Sequence, residues 1–194
     1  MRAWIAPLDR HAPPKQVTPA EAHSVHFASG GELYFQTLQG SQQFVLSAAP
    51  NQTAPRKTDR EFDPDLKGVS PRGDLWLSGF THLAAYPPQG GTPIPICDSC
   101  TAGWGLGGRF LCLRFRDVGE MGGGKTIALA ILAGQELPKL PASGVKSASD
   151  MKGMNVAAEI DMKDKTIFAP GPDPSVYAYV KATVQRNIFR ISLK

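Results

Sequence analysis

Apolar and polar side chains alternate with a period of two in several short windows, and glycine or proline closes each window. Side chains on a strand point to opposite faces in turn, so this pattern predicts β-structure. Glu32–Leu38 and Gln42–Ser47 read as two strands joined across Gln39-Gly40-Ser41, a connection whose length and glycine predict a hairpin. Asp74–Phe80 is a short apolar strand. In Gly108–Arg116, Leu111, Leu113 and Phe115 share one face, while Cys112, Arg114 and Arg116 share the other. That is the pattern of a half-exposed antiparallel strand. Thr126–Ala133 is apolar throughout and fits either a short helix or a buried strand. Near the C-terminus, Val176, Ala178, Val180, Ala182 and Val184 occupy one face, and Phe189, Ile191 and Leu193 take it over after Arg186-Asn187. A slip of one residue in such a pattern predicts a bulge or a tight turn.

Between these windows the chain is punctuated. Residues 6–22 contain Pro7, Pro13, Pro14 and Pro19 and read as an extended arm. Ala49–Arg72 reads as one long polar loop, Pro87–Pro95 as a second connection and Leu137–Asp150 as a third. The expected architecture is all-β: an antiparallel sandwich, or a jelly-roll or barrel-like core, with long Gly/Pro-rich loops. Residues 1–22 form a proline-rich arm and 23–194 a single β-rich domain in this reading.

Composition sharpens the reading by exclusion. Twenty glycines and 17 prolines in 194 residues leave few windows long enough for a stable helix, which argues against a helical bundle. A hydrophobic content of 42% is too high for a wholly disordered chain. The glycines have no collagen period, and no run of apolar residues is long enough for a membrane-spanning helix. Met1–Asp9 has no apolar stretch of the kind a secretory signal needs, and three cysteines are too few for a disulfide scaffold. An intracellular or virion location with reduced thiols is the expectation.

The net charge of +4 belongs to the C-terminal half, because cations and anions balance over residues 1–97. After Asp173 only Lys181, Arg186, Arg190 and Lys194 are charged. These four cations are candidates for contact with an acidic partner; as the solvated face of a strand they would instead discourage edge pairing. They are too sparse for nucleic acid to be favoured.

One segment suggests specific chemistry. Gly119-Glu120-Met121-Gly122-Gly123-Gly124-Lys125-Thr126 satisfies G-x-x-x-x-G-K-[ST], and over these eight residues the chain resembles the P-loop NTPase family. The resemblance implies Mg-ATP or Mg-GTP as ligand, with hydrolysis or phosphoryl transfer as the reaction. Backbone N–H groups around Gly119, Gly122, Gly123 and Gly124 would cradle phosphates, Lys125 would reach the terminal oxygens, and Thr126 would hold magnesium. The alternative is a flexible glycine connection between strands.

Other constellations are thinner. Cys97-Asp98-Ser99-Cys100 has metal or redox spacing, and with Cys112 it makes a possible small metal site. His23 and His26 read as structural histidines. Asp59, Glu61, Asp63 and Asp65 form an acidic run without the glycine and final glutamate of an EF-hand loop. Arg72-Gly73-Asp74 reads as a turn, and Gly103–Gly108 as a glycine-rich hinge around Trp104 that permits close backbone approach.

No catalytic set is complete in the sequence. The leading expectation is a structural, assembly-forming β-protein without a cofactor, of the class of viral or phage virion subunits (coat, cement or tail-associated), working through homo- or hetero-oligomeric protein contacts. A P-loop nucleotide-binding protein is the alternative, and a β-rich module with a small metal site the third.

Overall fold

The computed structural model describes residues 4–6, 9–17, 21–49, 54–62, 65–115, 124–162 and 167–180. Among them sixteen strands form in order: β1 (Trp4–Ile5), β2 (Lys15–Gln16), β3 (Ala22–Phe27), β4 (Leu33–Gln39), β5 (Gln42–Ala48), β6 (Arg56–Glu61), β7 (Leu66–Val69) and β8 (Trp76–Ser78). There follow β9 (His82–Tyr86), β10 (Ile94–Asp98), β11 (Cys100–Trp104), β12 (Phe110–Phe115), β13 (Lys125–Ala130), β14 (Val156–Asp161), β15 (Ile167–Pro170) and β16 (Tyr177–Val180). A 3-10 turn at Ala148–Met151 is the one helical element among the described residues.

Strands that are neighbours in sequence are neighbours in space. β3–β6, β7–β10 and β11–β14 are three four-stranded sheets, and the pairs β1–β2 and β15–β16 flank them. Every strand pairing is antiparallel. The all-β, antiparallel expectation therefore holds. A jelly roll does not, because it needs strands that cross between sheets, and each sheet here is a simple meander of consecutive strands. The predicted hairpin is present as β4–β5, with Gly40 at a positive φ in its connection.

The sheets are stacked face to face, and each interface has its own core. Leu33, Phe35 and Ala48 on one face of the first sheet pack with Ile5 and Val17 from the β1–β2 region. The opposite face offers Tyr34 and Val45, which meet Phe62, Leu66, Val69 and Trp76 of the second sheet and the segment leading into it. Leu77, Leu83 and Ala85 turn the other way, toward Leu111, Leu113, Ile127 and Leu129 of the third sheet. Phe110, Cys112 and Ala128, on that sheet's far face, pack with Phe168 of β15. This explains why Cys112 is buried although the alternation around it predicted a half-exposed strand. Both faces of β12 are covered.

The leading strands of successive sheets also touch: β3 with β7, β7 with β11, and β11 with β15. The Trp104 ring of β11 stands over Gly68 of β7, where a β-carbon would make an ordinary contact with it at 3.7 Å. Four-stranded meanders whose first strands gather along one line are the blades of a propeller-like arrangement.

Polar groups close the first junction. The buried Gln36 side chain donates to Phe62 O at 3.0 Å and accepts from Leu66 N–H at 2.9 Å, which satisfies the backbone where the chain passes between sheets.

Candidate functional site

Each sheet's first two strands are joined by a turn, and these turns, residues 28–32, 70–75, 105–109 and 171–176, lie at the same end of the stack. Main-chain hydrogen bonds join them. Ser29 N–H donates to Pro71 O at 2.6 Å, and Leu106 N–H donates to Gly171 O at 3.0 Å. Between the second and third turns the contact is steric. Gly108 has φ +69°, and a β-carbon there would lie 2.6 Å from Cγ of Pro71. Only glycine takes both that backbone and that distance without cost.

A cleft of about 280 Å³ opens where the first three of these turns meet residues 131–136, and Pro71, Arg72, Arg109 and Glu136 line it. The Arg72 guanidinium pairs with the largely buried Glu136 carboxylate and, at 3.4 Å, with Asp74. The Glu136 carbonyl accepts the Trp104 indole N–H at 2.8 Å, which fixes this part of the wall. Arg109 donates to Pro172 O at 3.2 Å. The carboxyl of Asp173 is held below the usual carboxylate range, mainly by hydrogen bonds from the Ser175 hydroxyl and N–H and in smaller part by the charge of Arg109. Around the cleft Leu106, Leu132 and Val176 are 65%, 59% and 52% exposed. Two oriented guanidinium groups, Arg72 and Arg109, thus stand beside exposed aliphatic side chains.

The Arg72-Gly73-Asp74 tripeptide occupies the tight turn before β8. Asp74 accepts from the Ser70 hydroxyl at 2.8 Å. Gly73 (φ +82°) packs so closely on Tyr34 that a β-carbon would sit 2.3 Å from the phenol oxygen. Burial first, and then the Glu32 and Asp74 carboxylates, push the Tyr34 hydroxyl above its ordinary pKa.

The residues singled out for nucleotide chemistry are dispersed differently. Gly119, Gly122 and Gly123 lie outside the described residues. Gly124 leads directly into β13, where Lys125 and Thr126 stand opposite Phe115 and Arg114 of β12 and Asp161 and Ile160 of β14. A strand thus stands where a phosphate loop is followed by a helix. The Lys125 ammonium pairs with Glu159 at 2.9 Å, and the Thr126 side chain is buried.

The three cysteines do not converge. Cys97 and Cys100 are joined as a disulfide across the connection from β10 to β11, while Cys112 packs in the separate core beside β15. Burial pushes the Cys112 thiol up to about 12. No group of three His, Cys, Asp or Glu side chains placed to hold a metal occurs among the described residues. Lys181, Arg186, Arg190 and Lys194 lie outside the described residues.

A structure of TolB from Acinetobacter baumannii matches 95% of this chain with a TM-score of 0.53 at 11% identity. The likeness is one of fold. This chain spans about half of that protein, 49% of its length. A chain assigned to TolB from Agrobacterium tumefaciens matches over 84% of this chain and 75% of its own, with a TM-score of 0.36 and 13% identity. No family model matches the sequence, and no curated protein does.

The likeness to the Acinetobacter structure corrects the leading expectation. The fold is that of a TolB-like, propeller-type protein rather than of a viral or phage virion subunit, coat or otherwise. Extended arms and Gly/Pro loops suggested an assembly subunit, but the same composition is what short strands and many turns require. Among the described residues no helix is long and apolar enough to cross a membrane.

Sequence reading missed Arg109, Glu136 and Pro71 as partners in one cleft. The Gly107-Gly108 pair was the one local signal, because it marks a backbone that something approaches closely.

Proposed function

We propose that this chain is a binding scaffold that docks a partner protein on the face formed by the turns at 28–32, 70–75, 105–109 and 171–176. The observation that carries this reading is the joining of four successive turns into one surface, with Arg72 held by Glu136 and Leu106, Leu132 and Val176 exposed around it. Rigid backbone, a fixed arginine and exposed aliphatic side chains are what a protein interface needs at its centre. The TolB-like fold supports a scaffold of this kind. The Cys97–Cys100 disulfide supports an oxidising compartment in place of the reducing one expected from the cysteine count.

Affinity capture from the native organism tests the reading. The Leu106→Asp/Leu132→Asp variant should lose a protein that the wild type captures. Phe80→Asp, in the turn at the other end of β8, should retain it. Capture that is indifferent to the first variant, or lost with the second, overturns the assignment.

A further inference from the structure

We propose that the connection between β13 and β14 forms a second site, which adjoins the docking face and shares Leu132 with it, and which takes a small amphipathic carboxylate: an unbranched alkyl chain ending in one carboxyl group. The equivalent connections in the first two sheets run over 49–55 and 87–93, whereas this one runs over 131–155. Long connections in compact folds are usually functional. This one is tied down at both ends and in the middle. Val145 pairs with Cys97 of β10 as an isolated parallel bridge, donating to Ile96 O and accepting from Asp98 N–H, each at 2.9 Å. At the far end Ala130 N–H donates to Asn155 O at 2.9 Å, and Met154 N–H to Met151 O at 3.1 Å.

Between these anchors and β13 lies a groove of about 510 Å³, within the roughly 300–1,000 Å³ of small-molecule sites. Its lining is mostly carbon, including Leu129, Leu132, Leu140 and Met154. The charged groups in that lining are Lys139 and Lys152, with no acid among them. Neither ammonium has an acidic partner among the described residues. Asp150, the acid nearest Lys152 in sequence, is turned to the N–H groups of Lys146 and Ser147, both at 2.9 Å.

The chemistry selects the ligand class. A small inorganic anion would leave the apolar lining unused, and a neutral hydrocarbon would leave two ammonium groups without a counter-charge. A chain of methylenes with one terminal carboxylate answers both, because the tail removes apolar surface from water and the head meets the lysines. An alkyl ammonium of equal length meets the wrong sign.

Titration calorimetry of the whole chain with decanoate tests the proposal, with decyltrimethylammonium and decanol as controls of equal tail length. Decanoate should bind saturably and at least tenfold more tightly than either control. Lys139→Glu/Lys152→Glu should weaken it at least tenfold, as should the milder Lys139→Gln/Lys152→Gln, with the far-ultraviolet spectrum unchanged. Lys146→Glu, on the same connection but outside the groove, should leave it intact. No saturation at millimolar decanoate, equal binding of the ammonium, or affinity indifferent to both double variants would each overturn the assignment.

Discussion

Pro71 occupies the space that a side chain on Gly108 would need: a β-carbon there would lie 2.6 Å from the proline Cγ. The two residues belong to turns of different sheets, so a side chain at Gly108 would collide where the second and third sheets meet at the candidate docking face. Gly108→Ala should destabilise the fold by about 1–3 kcal/mol, through the left-handed backbone and the collision together. Adding Pro71→Ala should recover the part due to collision and leave the backbone part. Urea denaturation of the four proteins in this cycle measures both.

Trp76 is fully buried in the core between the first two sheets, edge-on to Phe62 at 5.3 Å and to Tyr34 at 6.5 Å. Trp76→Ala should cost about 3–5 kcal/mol, because the surrounding rings come from separate elements and cannot all close on the cavity. Equilibrium unfolding followed by circular dichroism would show the shift.

His26 gives the fold a pH dependence with a definite sign. Burial lowers its pKa, while its ring nitrogen at 3.3 Å from Leu66 O acts in the opposite sense and more weakly. The unfolded chain therefore takes up a proton before the folded one does. Stability from this group is full well above the ordinary histidine value of about 6.5 and is lost as pH falls below it. Urea midpoints at pH 7.5 and 5.0 should differ in that direction, and His26→Gln should shrink the difference.

Thiol chemistry should separate the cysteines. Cys112 should resist an aromatic disulfide reagent at pH 8 in the folded protein and react after unfolding, since burial keeps its thiol protonated. The Cys97–Cys100 link closes a short loop. Replacing both with serine should cost about 2 kcal/mol on the chain-entropy account, read from the urea midpoint.

The strands legible in the sequence are those with an alternating apolar face of their own: β4, β5 and β12 stand close to where the pattern puts them. β6, with the sequence Arg56-Lys57-Thr58-Asp59-Arg60-Glu61, has no such face, and its sequence alone reads as loop. It is a strand because β5 offers a partner, with Lys57 lying over the Phe44 ring. β10 was hidden by Pro95, which an edge strand tolerates and which coincides with a shift of register against β9. The apolar run after Lys125 fitted helix and strand equally, and pairing with β14, far along the chain, decided it. The candidate site was less legible still. Arg72 and Glu136 are brought together only by the stacking of sheets, and no local pattern encodes that.

Separate cores between adjacent sheets have a consequence for how the molecule comes apart. Each sheet depends on its immediate neighbours, so its stability is set pairwise, as in linear repeat proteins. Among the described strands the sheet β7–β10, with a four-stranded neighbour on either side, should be last to exchange its amide hydrogens. A partner held on the four joined turns would grip several of these units at once. Binding would then act as a clamp that converts graded fraying into a single cooperative opening.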